Sequence, residues 1–124
     1  MPNGNSKIVA VLDDLFFTVK INESAKRAAM PIVFVKSEQD ALDQAAGKPA
    51  LMIIDLNCGQ IDPLALIGKL KSGAETKSVS VIGYLSHVQG ELKQKAQESG
   101  CDVVMARSAF SQNLPQILKR YTSF

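Results

Sequence analysis

Three aspartates directly follow apolar segments of the chain and could together support metal or phosphoryl chemistry. Asp13 and Asp14 come after KIVAVL, and Asp55 comes after LMII. Carboxylates brought within a few ångströms of one another repel, so at neutral pH they need a cation or must bind protons. A hard divalent ion that prefers oxygen ligands, Mg²⁺ in the first place, meets that need. The pattern therefore predicts a magnesium site, provided that the fold brings these side chains together.

Two further polar residues follow later apolar segments and suit a phosphoryl group. The Ser86 hydroxyl and the Arg107 guanidinium could bind phosphoryl oxygens while Asp55 attacks the phosphorus. His87 follows Ser86, but adjacent residues on an extended segment point in opposite directions, so a Ser–His catalytic pair is not expected. Asp55 is thus the candidate nucleophile, with Ser86 and Arg107 as candidate binding groups.

Each candidate also has a simpler structural explanation. Acidic residues and serine are common in the turns that end strands, which would account for Asp55 and Ser86. Asp13 and Asp14 could stabilise the positive end of a helix dipole, or one could bind metal while the other is structural. Arg107 could form an ordinary surface ion pair. The choice depends on the elements that position these residues.

Five short apolar segments alternate with five amphipathic ones. The predicted strands are KIVAVL, PIVFV, ALMIIDL, VSVIGYL and DVVMA, and the predicted helices are LFFTVKINESAKRAAM, SEQDALDQAAG, PLALIGKLKSG, VQGELKQKAQESG and SQNLPQILKRY. Repeated strand–helix units predict an α/β fold, a doubly wound five-stranded parallel sheet with helices on both faces. Ligand sites in such sheets lie beyond the carboxyl ends of the strands. The candidate residues should therefore converge on one edge.

Local signals set several helix limits. The first helix has apolar residues at helical spacing: Phe17, Ile21, Ala25 and Ala28. Ser37 is predicted to cap the second helix, and Pro63 and Gly73 should begin and end the third. Pro115 can be accommodated only if the fifth helix begins near Asn113.

Composition indicates one globular domain. The chain has 124 residues, 46% hydrophobic and 21% charged, and no apolar stretch approaches the roughly 20 residues of a membrane span. The first residues lack the apolar core of a signal peptide. We expect a cytoplasmic protein without membrane association, in which residues 1–6 are a flexible N-terminus and residues 7–124 a single domain. Cys58 and Cys101 are too few and too far apart for a disulfide framework or a zinc site.

The charge distribution argues against nucleic-acid binding. The net charge is +2, with six Lys/Arg against eight Asp/Glu in residues 1–62 and eight against four in residues 63–124. No run of basic residues is interleaved with aromatic residues, as nucleic-acid recognition would require.

At these positions the chain resembles the receiver domains of two-component response regulators, a bacterial family that includes the stand-alone chemotaxis receiver. VLDDL is similar to the family's acidic pair, and MIIDLN is similar to the strand that carries the phosphoacceptor aspartate. The spacing also fits: 41 residues from Asp14 to Asp55, 31 from Asp55 to Ser86, and 21 from Ser86 to Arg107. The resemblance extends from about residue 7 to residue 121.

The resemblance implies a flavodoxin-like fold with strand order 2-1-3-4-5 and a role for each candidate. Asp13, Asp14 and Asp55 would bind Mg²⁺ with the main-chain carbonyl of Asn57. Asp55 would accept a phosphoryl group from a histidine kinase or phosphotransfer protein, and Ser86 would take the Ser/Thr switch position. The chain would be an acceptor in a phosphorelay and not an enzyme, with slow self-dephosphorylation at most.

Departures from the family pattern lie where the signal is read out. Arg107 stands in place of a nearly obligatory lysine, Ser108 in place of a proline that forms a cis peptide, and Val104 in place of the aromatic switch residue. These positions belong to the region of helix four and strand five where receivers commonly bind partners. With no output domain after Phe124, a receiver of this kind would act through an unknown downstream protein.

Two competing hypotheses remain. In a pseudo-receiver, an interaction module that is never phosphorylated, Arg107 would neutralise Asp55 permanently through a bidentate pair. A flavin- or nucleotide-binding protein of the same topology is disfavoured, because DDLFF after the first strand offers no glycine-rich loop and its acids would repel phosphate. Phe16 in the same segment is a candidate for a partially exposed contact residue.

Overall fold

Five parallel strands alternate with five helices in the computed structural model, which describes residues 7–86 and 90–122. The strands are β1 (Ile8–Val11), β2 (Ile32–Val35), β3 (Leu51–Asp55), β4 (Val81–Leu85) and β5 (Val103–Ala106). The helices are α1 (Leu15–Arg27), α2 (Glu38–Ala45), α3 (Pro63–Ser72), α4 (Gly90–Ser99) and α5 (Arg107–Thr122). The strand order is β2-β1-β3-β4-β5, all parallel. The predicted flavodoxin-like α/β fold and its strand order are thereby confirmed.

The sheet separates two hydrophobic clusters of different composition. The aliphatic face, which packs against α2, α3 and α4, buries Val, Ile, Leu, Ala, Met and Cys side chains. The aromatic face, which packs against α1 and α5, also buries Phe17, Tyr84 and Phe110. Successive residues of a strand point to opposite faces, so Met52 and Ile54 lie on the aliphatic face while Leu51 and Ile53 lie on the aromatic one. Because β1, β3 and β4 are covered on both faces, they are apolar almost throughout.

Three predicted helix limits are confirmed. The Ser37 hydroxyl caps α2 by accepting a hydrogen bond from the Asp40 amide at 3.1 Å. Pro63 is the first residue of α3, where its missing N–H costs nothing, and Asp62 caps the helix. Gly73 follows the last residue of α3, as expected. No helix in residues 7–86 and 90–122 is long and apolar enough to cross a membrane.

The predicted start of the fifth helix near Asn113 is wrong. Helix α5 begins at Arg107 and contains Pro115 in its interior. An interior proline removes one main-chain hydrogen bond and costs about 3 kcal/mol. Apolar side chains on both sides of the proline pack into the aromatic face and offset that cost, each contributing roughly 1.5–3 kcal/mol when fully buried: Phe110, Leu114, Ile117 and Leu118.

The predicted apolar stripe of the first helix is wrong at its last position. Phe17, Ile21 and Ala25 are buried, but α1 ends at Arg27 and Ala28 is exposed. The next residue adopts a left-handed backbone with φ of 56°, which turns the chain back toward the sheet. Met30, whose amide bonds to the Ala25 carbonyl, is buried in place of Ala28.

Candidate functional site

The candidate residues lie at one edge of the sheet, beyond the carboxyl ends of four strands that are neighbours in it. They follow β1, β3, β4 and β5, in the order Asp13 and Asp14, Asp55, Ser86, and Arg107. The rule for doubly wound sheets predicts this convergence. His87, which was not expected to act with Ser86, lies outside the described residues.

Asp55 is a buried carboxyl group at the centre of this edge. It is the last residue of β3 and is 3% exposed. Burial raises its pKa, and the negative charges of Asp13 and Asp14 add to that effect. The Asn57 amide, which donates to Asp55 Oδ1 at 2.8 Å, and the positive charge of Arg107 lower the pKa in part. The Asp55 carboxyl is therefore electrostatically coupled to every charged candidate.

The acidic pair divides into one structural and one exposed member. Asp14 is the N-cap of α1, and its Oδ1 accepts hydrogen bonds from the amides of Phe16 at 2.9 Å and Phe17 at 3.4 Å. The structural explanation for Asp14 is thus observed for one of its two carboxylate oxygens. Asp13 is exposed. At the same edge, Asp14 therefore presents a carboxylate with one hydrogen-bonded oxygen, and Asp13 presents an exposed carboxylate.

The donor chemistry of this edge fits Mg²⁺. No three Asp, Glu, His or Cys side chains among residues 7–86 and 90–122 form a group that could enclose a metal ion. Magnesium does not require one, because it usually keeps several waters and binds through one or two carboxylates. Asp13, Asp14, Asp55 and the Asn57 main-chain carbonyl are all hard oxygen donors. The site is compatible with a partly hydrated ion and not with a protein cage.

Asn57 also connects two of the loops at this edge. Its side-chain Oδ1 accepts a hydrogen bond from the Ser86 amide at 2.7 Å, while its own amide donates to Asp55. Two hydrogen bonds thus lead from the Asp55 carboxyl to the segment after β4. Sequence reasoning assigned only a main-chain role to Asn57, because its side-chain contact spans 29 residues and has no local signal.

Arg107 does not form the bidentate pair with Asp55 that the pseudo-receiver hypothesis requires. No ion pair joins the two residues in the described part of the chain. The guanidinium lies instead over the ring of Phe17, with Cζ 5.3 Å from the ring centroid, at cation–π distance. Its Nε is buried and has no hydrogen-bond partner.

Tyr84 is a residue of this edge that the sequence reasoning missed. It pairs in register with Asp55, and its ring contacts two phenylalanine rings, with centroids 4.8 Å from Phe110 and 5.1 Å from Phe17. Its hydroxyl is buried without a hydrogen-bond partner. Burial raises its pKa most, the charge of Asp55 raises it further, and Arg107 opposes both. Its one sequence signal is an aromatic residue within the otherwise aliphatic segment VSVIGYL.

The two other departures from the receiver pattern are positioned differently. Val104 is buried in the aliphatic face, so no ring occupies the place of the aromatic switch residue. Ser108 is exposed in the first turn of α5, and no cis peptide occurs in the described residues.

An exposed apolar patch lies next to the site at the start of α1. We call Leu15, Phe16 and Val19 the α1 patch; they are 77%, 73% and 50% exposed, respectively. Large apolar side chains are seldom grouped in contact with water without an interaction role. The expectation that Phe16 is exposed is confirmed.

Comparison with known proteins identifies the fold. No protein-family model and no curated protein sequence matches the chain. Solved structures match over nearly its whole length. The chemotaxis response regulator CheY4 of Vibrio cholerae aligns with a TM-score of 0.80 and 16% identity, over 94% of this chain and 98% of that one.

Two further structures extend the similarity. The phosphorylated cyanobacterial phytochrome response regulator RcpA has a TM-score of 0.77 and 20% identity, over 94% of this chain and 91% of its own. The Mn²⁺-bound form of the response regulator Rcp1 has a TM-score of 0.77 and 16% identity, over 96% and 93%. At such low identity the similarity establishes that the chain has the receiver fold of response regulators.

Proposed function

We propose that this chain is a cytoplasmic receiver that accepts a phosphoryl group on Asp55 with Mg²⁺ and passes the signal on through protein–protein contact. The observation that carries the proposal is the position of Asp55. In a sheet with the receiver fold, this buried carboxyl ends the central strand and is electrostatically coupled to two further carboxylates and one guanidinium.

The chemistry is the transfer of a phosphoryl group from a phosphorylated donor to the free carboxylate of Asp55. A carboxylate oxygen of Asp55 attacks the phosphorus of the donor, a phosphohistidine or a small acyl phosphate. The new P–O bond makes an acyl phosphate, and the bond to the donor breaks with its electron pair leaving on the donor. The Asn57 amide, 2.8 Å from Asp55 Oδ1, holds the carboxylate in place for this attack. The chain is an acceptor, and hydrolysis of its acyl phosphate is a slow secondary reaction.

The proposed Mg²⁺ ligands are Asp13, Asp14 through its Oδ2, Asp55, and the Asn57 main-chain carbonyl. Bound Mg²⁺ would offset the negative charge on the phosphoryl oxygens. Asp14 would then have two functions, since its Oδ1 already caps α1. The Asp13 side chain is exposed, and ion binding would draw it together with the other two carboxylates, because the three do not form a group that could hold a metal ion in the described part of the chain.

Arg107 and Ser86 would bind the remaining phosphoryl oxygens. The Arg107 Nε has no partner at present, so a phosphoryl oxygen would satisfy a buried donor. Ser86 is linked through its amide to the Asn57 side chain, which supports a role for its hydroxyl at the same loop junction. Charge-assisted hydrogen bonds from arginine to phosphate are among the stronger polar contacts in proteins.

The proposed phosphodonor partner is a histidine kinase or phosphotransfer protein, and the α1 patch suits its approach. The first residue of the α1 patch directly follows Asp14, at the same end of the sheet as Asp55. A donor protein seated there would bring its phosphohistidine to the edge. The downstream protein that receives the signal is a separate partner.

The decisive experiment is phosphorylation by a small donor. The protein is incubated with acetyl phosphate and Mg²⁺, and its intact mass is followed alongside Asp55→Asn and Asp43→Asn. The second variant makes the same change on the exposed face of α2. We expect one added phosphoryl group in the wild type and in Asp43→Asn, and none in Asp55→Asn.

The same experiment tests the pseudo-receiver alternative. No adduct at saturating donor in the folded wild type would refute phosphoryl acceptance and favour an interaction module. The observation against that alternative is that Arg107 packs over Phe17 and does not pair with Asp55. An adduct that persists in Asp55→Asn would identify a different acceptor.

A further inference from the structure

Two buried hydrogen-bond donors have no acceptor in the described part of the chain, and both are near Asp55. They are the Tyr84 hydroxyl and the Arg107 Nε–H. A buried donor without a partner costs about 1–3 kcal/mol, so native proteins keep few of them. Both donors belong to residues that interact electrostatically with Asp55: its charge raises the pKa of Tyr84, and the charge of Arg107 lowers the pKa of Asp55.

Register places the Tyr84 side chain beside that of Asp55. The two residues are partners on adjacent parallel strands, β3 and β4. Register partners in a parallel sheet point to the same face, and the neighbouring residues Ile53 and Ile82 confirm that this is the aromatic face. The pairing of β3 with β4, and not the conformation of a loop, therefore fixes Tyr84 next to the proposed phosphoacceptor.

The aromatic cluster of Phe17, Tyr84 and Phe110 holds the tyrosine ring in position. Tyr84 is 0% exposed, and its ring is nearly parallel to that of Phe110, with an interplanar angle of 12°. The Phe17 ring of α1 packs against the Tyr84 ring, and the Arg107 guanidinium lies over the Phe17 ring. The hydroxyl is buried without a partner, so an acceptor that reached it would satisfy this donor.

We propose that Tyr84 is a positioning residue of the phosphoryl site, whose hydroxyl donates a hydrogen bond to an oxygen of the phosphoryl group on Asp55. This inference rests on the proposed function. A phosphoryl group brings three acceptor oxygens and negative charge to an edge where two donors lack partners. Tyr84 and Arg107 would bind them from β4 and α5. The hydroxyl keeps its proton throughout, since it is buried beside a carboxylate, and no bond of the tyrosine is made or broken.

The test compares Tyr84→Phe with Tyr121→Phe. The second variant removes the same hydroxyl from the chain's other tyrosine, which lies near the end of α5. Acetyl phosphate and Mg²⁺ are added, the adduct is followed by intact mass, and the wild type is labelled with ¹³C at tyrosine Cζ for NMR. Thermal unfolding of the unphosphorylated proteins is measured in parallel.

Three results are expected. Tyr84→Phe accumulates roughly tenfold less adduct at limiting donor, the ratio equivalent to a hydrogen bond to a charged group, while Tyr121→Phe matches the wild type. The Cζ signal of Tyr84 shifts when the wild type is phosphorylated, and that of Tyr121 does not. Tyr84→Phe melts a few degrees higher than the wild type, because it loses a buried donor without a partner.

The outcomes that refute the inference differ from those that refute the proposed function. Normal adduct in Tyr84→Phe, or an unchanged Tyr84 signal on phosphorylation of the wild type, excludes the hydrogen bond while phosphoryl acceptance stands. A Tyr84→Phe variant that loses adduct and also melts lower would show that the hydroxyl is structural. No adduct in the wild type refutes both proposals. If Tyr84→Phe does not fold, the labelled wild type alone decides.

Discussion

Each face of the sheet buries a large hydrophobic cluster, but the two faces differ in the polar groups that they leave without partners. The aliphatic face contains only aliphatic and sulfur side chains among its buried residues. The aromatic face contains the cluster of three rings, the Asp55 side chain beside Tyr84, and both donors without acceptors in the described residues. The aliphatic face is packed with apolar side chains alone, whereas the aromatic face also holds two donors without partners in the described residues. The proposed phosphoryl chemistry would use the aromatic face.

Large truncations on the two faces give the strongest test of this comparison. Phe110→Ala should lower the free energy of unfolding by about 3–5 kcal/mol and Leu66→Ala by about 2–5 kcal/mol, since both side chains are fully buried. Urea unfolding measures both. Below the denaturant transition, Phe110→Ala should also slow phosphorylation by acetyl phosphate, because Tyr84 loses its support, and Leu66→Ala should not. Equal slowing in both variants would mean that the faces do not differ in function.

A smaller effect separates the two functions proposed for Asp14. Asp14→Ala should cost about 1 kcal/mol of stability through loss of the α1 cap, whereas Asp14→Ser, which keeps a capping oxygen, should retain most of it. Both variants should need more Mg²⁺ for phosphorylation, since both lack Oδ2. Urea unfolding and a Mg²⁺ titration of the reaction rate measure the two effects. An unaltered Mg²⁺ requirement in Asp14→Ser would make Asp14 purely a capping residue.

The smallest expected effect is a pH dependence from Asp55. Its pKa is raised in the fold, so the folded state binds this proton more tightly than the unfolded chain does. That contribution to stability is present below the unfolded pKa and is lost as pH rises through the folded pKa. Asp55→Asn should therefore be more stable than the wild type at neutral pH, with a difference that shrinks toward acid pH.

The Asp55→Asn effect should be modest, because the Asn57 amide and Arg107 partly offset the burial of the charge. Urea unfolding at several pH values measures it. Asp43→Asn removes the same charge from an exposed position. A gain of equal size in both variants would attribute the effect to net charge and not to burial.

Local patterns were sufficient to predict the elements and the edge at which they meet. Short β-branched segments separated by amphipathic ones specify parallel strands, and the end of each strand identifies Asp13, Asp55, Ser86 and Arg107 as neighbours. The error in α5 arose because the tertiary packing around Pro115 outweighs the local preference of proline.

The position of Tyr84 beside Asp55 could not be predicted from the sequence, because it depends on strand register. Alternation along a strand tells which residues share a face of that strand, but not which residue of the next strand stands beside them. The register of β3 and β4 pairs Asp55 with Tyr84 across 29 positions. The contact of the Asn57 side chain with the Ser86 amide is equally long in sequence.

The junction between β5 and α5 has a mechanical consequence. Ala106 ends the strand and Arg107 begins the helix, so no loop residue separates them. If the Arg107 guanidinium moved further than rotation about its side-chain bonds allows, no flexible loop would take up the movement. The movement would then shift helix α5 as a whole, which has 16 residues and is about 24 Å long. Under the proposed function, phosphorylation of Asp55 would therefore change the position of the C-terminal end of α5, where another protein could bind.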